Sequence, residues 1–195
     1  MQGKTNIIFL DCDGVINNDV FIAEWQKTHG NSKQSKQEFC NRYFVHNGHK
    51  GYVVPELLER LKWLCNETNC KIVWSSSWRE NYLKRDADTG EFRFDYHAIA
   101  ELWRAKGFPI ERLVGCTPCE DCSRFSYVPR GVEIQMWLDA NASMYNVCRC
   151  AILDDNEDAI VGVTDANARF FQTEFETGLT RGIAQQARNW LNEVK

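Results

Sequence analysis

Asp11 and Asp13 flank a single cysteine at the end of an apolar run, and Gly14 follows them. In extended backbone, residues two apart face the same side, so both carboxylates can reach one reacting atom if the chain is still extended there. Gly14 then permits a sharp turn that a bulkier residue would resist. The run Ile72–Trp74 ends in Ser75-Ser76-Ser77, and Ile152-Leu153 ends in Asp154-Asp155 with Asp158 close behind. If these runs are parallel, neighbouring strands, at least three carboxylates converge on one edge of a sheet. Such charges repel unless they are protonated or neutralised by a cation. Oxygen ligands of this kind suit Mg²⁺, which binds through a few carboxylates together with a substrate phosphate.

The elements that must position these groups are legible around them. Asn6–Leu10, Lys71–Trp74, Leu113–Cys116, Cys150–Leu153 and Phe170-Phe171 read as short buried strands. Between them lie helical patterns. From Pro55 the residues Leu57, Leu58, Leu61, Leu64 and Cys65 recur at helical spacing. Tyr96–Lys106 places Ile99, Leu102 and Trp103 inward and stops at Gly107, and Val132–Ala140 buries Ile134, Trp137 and Leu138. Thr180 is an N-cap for a last helix with Ile183, Ala187, Trp190 and Leu191 inward. Strands alternating with helices predict an α/β fold, a parallel sheet flanked by helices, whose binding crevice lies at the carboxyl ends of its strands. Residues 17–52 and 79–129 are long excursions from that pattern, and the expectation is that they roof the crevice as a small cap or specificity loops.

Other chemistry-bearing features weigh less. Cys116, Cys119 and Cys122 have a spacing open to Zn²⁺ or a cluster, with His97, Cys148 or Cys150 as a fourth ligand, but an ordinary loop is the stronger expectation. Asp86, Asp88 and Gly90 lack the remaining ligands of a calcium loop and read as a turn between short strands. Cys12 points away from its acidic neighbours by strand alternation and belongs in the core. In residues 17–52, Lys27, Lys33, Lys36, Arg42 and Lys50 mingle with Trp25, Phe39, Tyr43 and Phe44. This is either a surface that holds phosphates and stacks on bases or a solvated amphipathic insertion.

With 195 residues, 44% hydrophobic and 26% charged, the chain reads as one globular domain over residues 1–195 and not as disordered, collagenous or coiled-coil. No apolar stretch reaches membrane-spanning length and the first residues lack a signal-peptide pattern, so a cytoplasmic protein is expected, its nine cysteines mostly reduced. A net charge of -4 argues against broad electrostatic binding of nucleic acid. The balance is uneven: Met1–Arg60 has 7 basic and 7 acidic residues, while Gly131–Lys195 has 5 and 10. A local anion site in the first half stays open.

IIFLDCDGVIN at Ile7–Asn17 resembles motif I of the haloacid dehalogenase (HAD) superfamily. In order after it, IVWSSSWR at Ile72–Arg79 is similar to motif II, Arg130 in RGVEIQMWL to the basic residue of motif III, and ILDDNED at Ile152–Asp158 to motif IV. Within the superfamily, W-S-S-S-W, G-C-T-P at Gly115–Pro118, R-G-x-E-I-x-x-W-L and E-x-G-L-T resemble the HAD domains of Swiss Army Knife RNA repair proteins. The resemblance implies a HAD-like Rossmannoid fold and a phosphatase. Asp11 would be the nucleophile that forms an aspartyl-phosphate and Asp13 the general acid and base. Ser75 or Ser76 and Arg130 would bind the phosphoryl group. Mg²⁺ would sit on Asp11, the Asp13 backbone carbonyl and Asp154 or Asp155. The implied substrate is a phosphorylated small molecule such as a nucleotide, or a nucleic-acid end. A phosphotransferase would use the same residues, and a binding or regulatory module that keeps the fold without turnover is the alternative class. Both acids of motif I being present argues against the latter.

Overall fold

The apolar runs that end in polar clusters stand side by side. In a computed structural model describing residues 4–45, 51–85, 87, 92–118 and 128–193, β1 (Thr5–Leu10) is followed by α1 (Asp19–His29), α2 (Lys33–Tyr43) and α3 (Pro55–Thr68). Then come β2 (Lys71–Trp74), β3 (Leu83–Arg85), β4 (Phe92–Phe94), α4 (Tyr96–Ala105) and β5 (Leu113–Cys116). The chain ends with α5 (Arg130–Tyr145), β6 (Val147–Asp154), β7 (Ala168–Gln172) and α6 (Arg181–Asn192). The main sheet has the order β5-β2-β1-β6-β7, and every pairing in it is parallel. This is the α/β Rossmannoid architecture expected of a HAD domain.

Both faces of the sheet are covered, which is why its strands are apolar runs and not alternating ones. Ile8, Leu10, Ile72 and Trp74 face a core shared with Leu58, Leu61 and Leu64 of α3, Trp103 of α4, and Ala184, Ala187 and Leu191 of α6. Ile7, Phe9, Val73, Cys150 and Ile152 face Ile134, Trp137 and Leu138 of α5. Thr180 caps α6 as its sequence suggests, its Oγ1 accepting from Ile183 N at 3.2 Å. Leu102, read as inward, is at the surface; α4 turns Trp103 into the core, where it meets Trp74 edge-on at 4.8 Å.

In residues 17–52, α1 and α2 form a helical hairpin. Its aromatics are not free to stack on bases: Trp25 packs on Phe39 and Tyr43, and Phe39 on Phe44 and Tyr52, with ring centroids 5.0 to 6.1 Å apart across Phe39's contacts with Tyr43 and Phe44. With Ile22 packed beside them, these rings form the face that the two helices bury. Lys33 and Lys36 stay exposed.

The stretch 79–129 contributes an antiparallel β3–β4 ribbon, α4 and the edge strand β5. It touches the first excursion directly, Tyr82 Oη donating to Val45 O at 2.9 Å and Lys106 Nζ to Asn41 O at 2.8 Å. Asp86, Asp88 and Gly90, like His46, His49, Lys50, Cys119 and Cys122, lie outside the described residues, as does the side chain of His97.

Candidate active site

Register places the polar clusters level with one another. Leu10 is aligned with Trp74 on one side and with Leu153 on the other, so Asp11, Ser75 and Asp154 emerge together. The backbone ladder runs one residue further: Asp11 N–H donates to Leu153 O at 3.0 Å and Ser75 N–H to Leu10 O at 2.8 Å. The first polar residue after each strand is therefore held as firmly as the strand itself.

Alternation then sorts the side chains. Asp11 continues the face of Ile7 and Phe9, and Asp154 that of Cys150 and Ile152, so both share the α5 side of the sheet. Arg130 opens α5 there, with Nη1 3.5 Å from Asp11 Oδ1 and Nε 3.5 Å from Asp154 Oδ2. The helix can begin so close because its second residue is glycine: a Cβ on Gly131 would lie 2.4 Å from Val161 O. Asp158 accepts the Arg130 backbone N–H at 3.5 Å.

Asp11, Asp154 and Asp155 each offer an oxygen, all within 4.8 Å of one another, and they are the metal-ligating cluster found among the described residues. Burial first, and the charge of Asp154 next, push the Asp11 carboxyl well above its usual range, against Arg130 and a hydrogen bond from Ser76. Burial likewise raises Asp154 to about 7, opposed by Arg130 and by the Asn156 N–H that its Oδ1 accepts at 2.9 Å. Asp155 is raised too, chiefly by burial. Oδ2 of Asp154 is buried and makes no hydrogen bond. A buried carboxylate oxygen that makes no hydrogen bond, in a crowd of acids, is what a divalent cation satisfies, so these residues fit Mg²⁺.

Asp13 stands apart from that cluster. Its Oδ1 accepts from Asn17 Nδ2 and its Oδ2 from Trp78 Nε1, each at 2.8 Å. The turn that follows the two acids needs Gly14, which has φ +64° and whose Cβ would fall 2.7 Å from the Asp155 carboxylate. Cys12 points to the opposite face, as alternation requires, and accepts from Trp74 Nε1 at 2.6 Å. Burial keeps its thiol neutral.

The two serines diverge. The Ser76 hydroxyl helps hold the Asp11 carboxyl down and its Oγ accepts the Trp78 N–H at 3.4 Å, whereas the Ser75 hydroxyl is buried without a partner. Arg130 Nη1 donates to the Ser75 carbonyl. Four residues escaped the sequence reading: Trp78 and Asn17, which hold Asp13, and Arg79 and Glu133, an ion pair behind the serines. Trp78, Arg79 and Glu133 sit inside the quoted motifs, yet spacing carries no sign of which partner each meets. Cys116 is half-buried, with its thiol pushed up to about 11 by burial, and no metal-ligating cluster among the described residues includes it.

A parallel sheet whose strands end in this set of acids, serines and arginine defines a HAD-type domain. Over residues 7–184 the chain matches the family described as the HAD domain in Swiss Army Knife RNA repair proteins, and it belongs to that family. Membership supports a phosphatase-type HAD function. Searches of the curated proteins and of the solved structures returned no match. No helix among the described residues is long and apolar enough to cross a membrane.

Proposed function

We propose that this protein is a Mg²⁺-dependent phosphomonoester hydrolase that works through a phosphorylated Asp11. The observation that carries the reading is the meeting of Asp11 with Arg130 at 3.5 Å and with Asp154 and Asp155 in one cluster, while Asp13 follows two residues later. An oxygen of Asp11 attacks phosphorus and forms an acyl phosphate. The bond to the leaving oxygen breaks, its electron pair stays on that oxygen, and Asp13 protonates it. Asp13, now a carboxylate, takes a proton from water, which attacks phosphorus and releases Asp11 and inorganic phosphate.

Arg130 offsets the charge on the transferring group, an effect whose removal costs about 10²–10³ in kcat at comparable sites. Ser75 and Ser76 are the hydroxyl donors on the same side of the phosphoryl group. Asp11, Asp154 and Asp155, with the Asp13 carbonyl, would hold Mg²⁺, which neutralises phosphate oxygens and lets Asp11 stay ionised.

For substrate we favour a nucleotide or a nucleic-acid terminal phosphate, on the RNA repair context of the family and on the exposed Lys33 and Lys36 of the helical hairpin. The cytoplasm is the compartment that suits the described cysteines, all of which are free. Phosphate release from an aryl phosphate, with Mg²⁺ or with chelator and with Asp11→Asn in parallel, tests the mechanism. Metal-dependent release that Asp11→Asn abolishes is expected; release that survives this change rules out Asp11 as the nucleophile. Tight Mg²⁺ binding with no turnover on any ester tried would favour a binding module.

A further inference from the structure

Behind the serines, two successive carbonyls of the loop after β2 are each taken by an arginine. Arg130 Nη1 donates to Ser75 O, and Arg79 Nη1 to Ser76 O at 2.9 Å. A trans peptide is planar with its N–H opposite its C=O, so holding two neighbouring carbonyls sets two peptide planes. Those planes determine how Ser76 leaves the chain toward Asp11.

Arg79 is itself held. Its Nη2 donates to both Oε1 and Oε2 of Glu133 at 2.7 Å, and the side chains are only 4% and 11% exposed. Glu133 lies one turn beyond Arg130 on α5, so the pair ties the serine loop to the helical turn that presents Arg130. Nη1 is on a carbonyl, Nη2 on a carboxylate and Nε is buried without a partner, so the Arg79 guanidinium is turned into the protein. An ion pair this deep is a poor source of stability, because desolvation offsets the attraction; fixing one arrangement is the better-supported use.

We propose that Arg79 and Glu133 are positioning residues that lock the Ser75–Ser76 loop to the first turn of α5, so that Ser76 and Arg130 meet Asp11 in a single geometry. The inference rests on the reading of Asp11 as nucleophile.

The test compares Arg79→Lys, Arg79→Gln, Glu133→Gln and the double variant Arg79→Gln/Glu133→Gln with the wild type, using an aryl phosphate. A misplacement of about 1 Å can cost about 10²-fold in rate. Each glutamine single variant is therefore expected to lose about tenfold or more in kcat with little change in KM. The double variant should lose no more than the worse single, since the two act as one unit. Arg79→Lys, which keeps the charge, should recover part of the loss. Mg²⁺ affinity measured by calorimetry should stay near that of the wild type, because its ligands are untouched.

A kcat close to wild type in either folded glutamine single variant, or losses that multiply in the double, overturns the proposal. If the single variants fail to unfold cooperatively while the double variant folds and turns over normally, the pair is structural only and the proposal falls. Wild-type protein without Mg²⁺-dependent turnover removes the nucleophile reading and this inference together. Normal wild-type turnover with unaffected variants removes the inference alone.

Discussion

Trp78 Nε1 donates to Asp13 Oδ2 at 2.8 Å, joining residues 65 apart in the chain. Asn17 Nδ2 holds the other oxygen at the same distance, while its own Oδ1 accepts the Gly14 N–H at 3.0 Å. The candidate acid and base is thus gripped by a neighbour four residues on and by an indole delivered from the end of another strand. Trp78 is buried and packs on Trp103, so its direction is set by the packing of α4 against the sheet.

Trp78→Phe keeps a ring at that position but loses the donor. A hydrogen bond to a charged group contributes about 1.5–3 kcal/mol, so a fall in kcat of about tenfold or more is expected, with Mg²⁺ affinity unchanged. Steady-state kinetics decide it. An unaltered kcat would mean that Asn17 alone orients Asp13.

Gly14→Ala acts twice. The positive φ costs about 1–2 kcal/mol for a residue with a Cβ. The new methyl also meets Asp155 Cγ and Oδ2 at 2.7 Å, so the carboxylate must move. Thermal unfolding should show the first effect and calorimetry a weakened Mg²⁺ affinity. Destabilisation with wild-type Mg²⁺ affinity would take Asp155 out of the cation site.

The metal-free site sets a pH dependence of known sign. Burial holds Asp154 at about 7 in the folded chain against an ordinary 3.8. The folded state therefore keeps a proton that the unfolded state has released in that window, and stability is lost as pH rises from about 4 through about 7. In chelator, the melting temperature should fall over this range, and Asp154→Asn should flatten part of the fall. Saturating Mg²⁺ at pH 8 should raise the wild-type melting temperature and raise that of Asp154→Asn much less. A melting temperature that climbs between pH 4 and 7 would contradict the burial of this carboxylate.

Lys33 and Lys36 separate the substrate classes. Replacing both with alanine removes exposed charge on α2 without touching the aromatic core beneath. Turnover of an aryl phosphate should be unchanged, while kcat/KM for a phosphate-ended oligonucleotide falls about tenfold and becomes less sensitive to salt. Equal activity of wild type and variant on both substrates would remove this face from substrate recognition.

The fold was readable because its strands are buried on both faces. Runs such as Ile7–Leu10 and Ile152-Leu153 leave no other placement in a chain this size, and the acids that stop them mark where the sheet ends. Leu102 shows where periodicity runs out: the pattern put both Leu102 and Trp103 inward, but Leu102 is at the surface and Trp103 is the one that packs on Trp74. The basic and aromatic character of residues 17–52 likewise left two outcomes open. In the structure the rings turn on one another, with Ile22 packed against them, and Lys33 and Lys36 stay exposed.

The candidate site divides along the same line. Residue type and order alone put Asp11, Asp13, Ser75, Ser76, Asp154 and Asp155 where apolar strands stop and Arg130 at a helix start, since strand ends and alternation are local properties. Tertiary structure alone decides which of them touch. Strand register brings Asp11 level with Ser75 and Asp154, and packing across 54 residues pairs Arg79 with Glu133. It also turns Trp78 onto Asp13. A buried donor or charge must find a partner wherever the fold places one, and that requirement is met through space, where spacing along the chain carries no information.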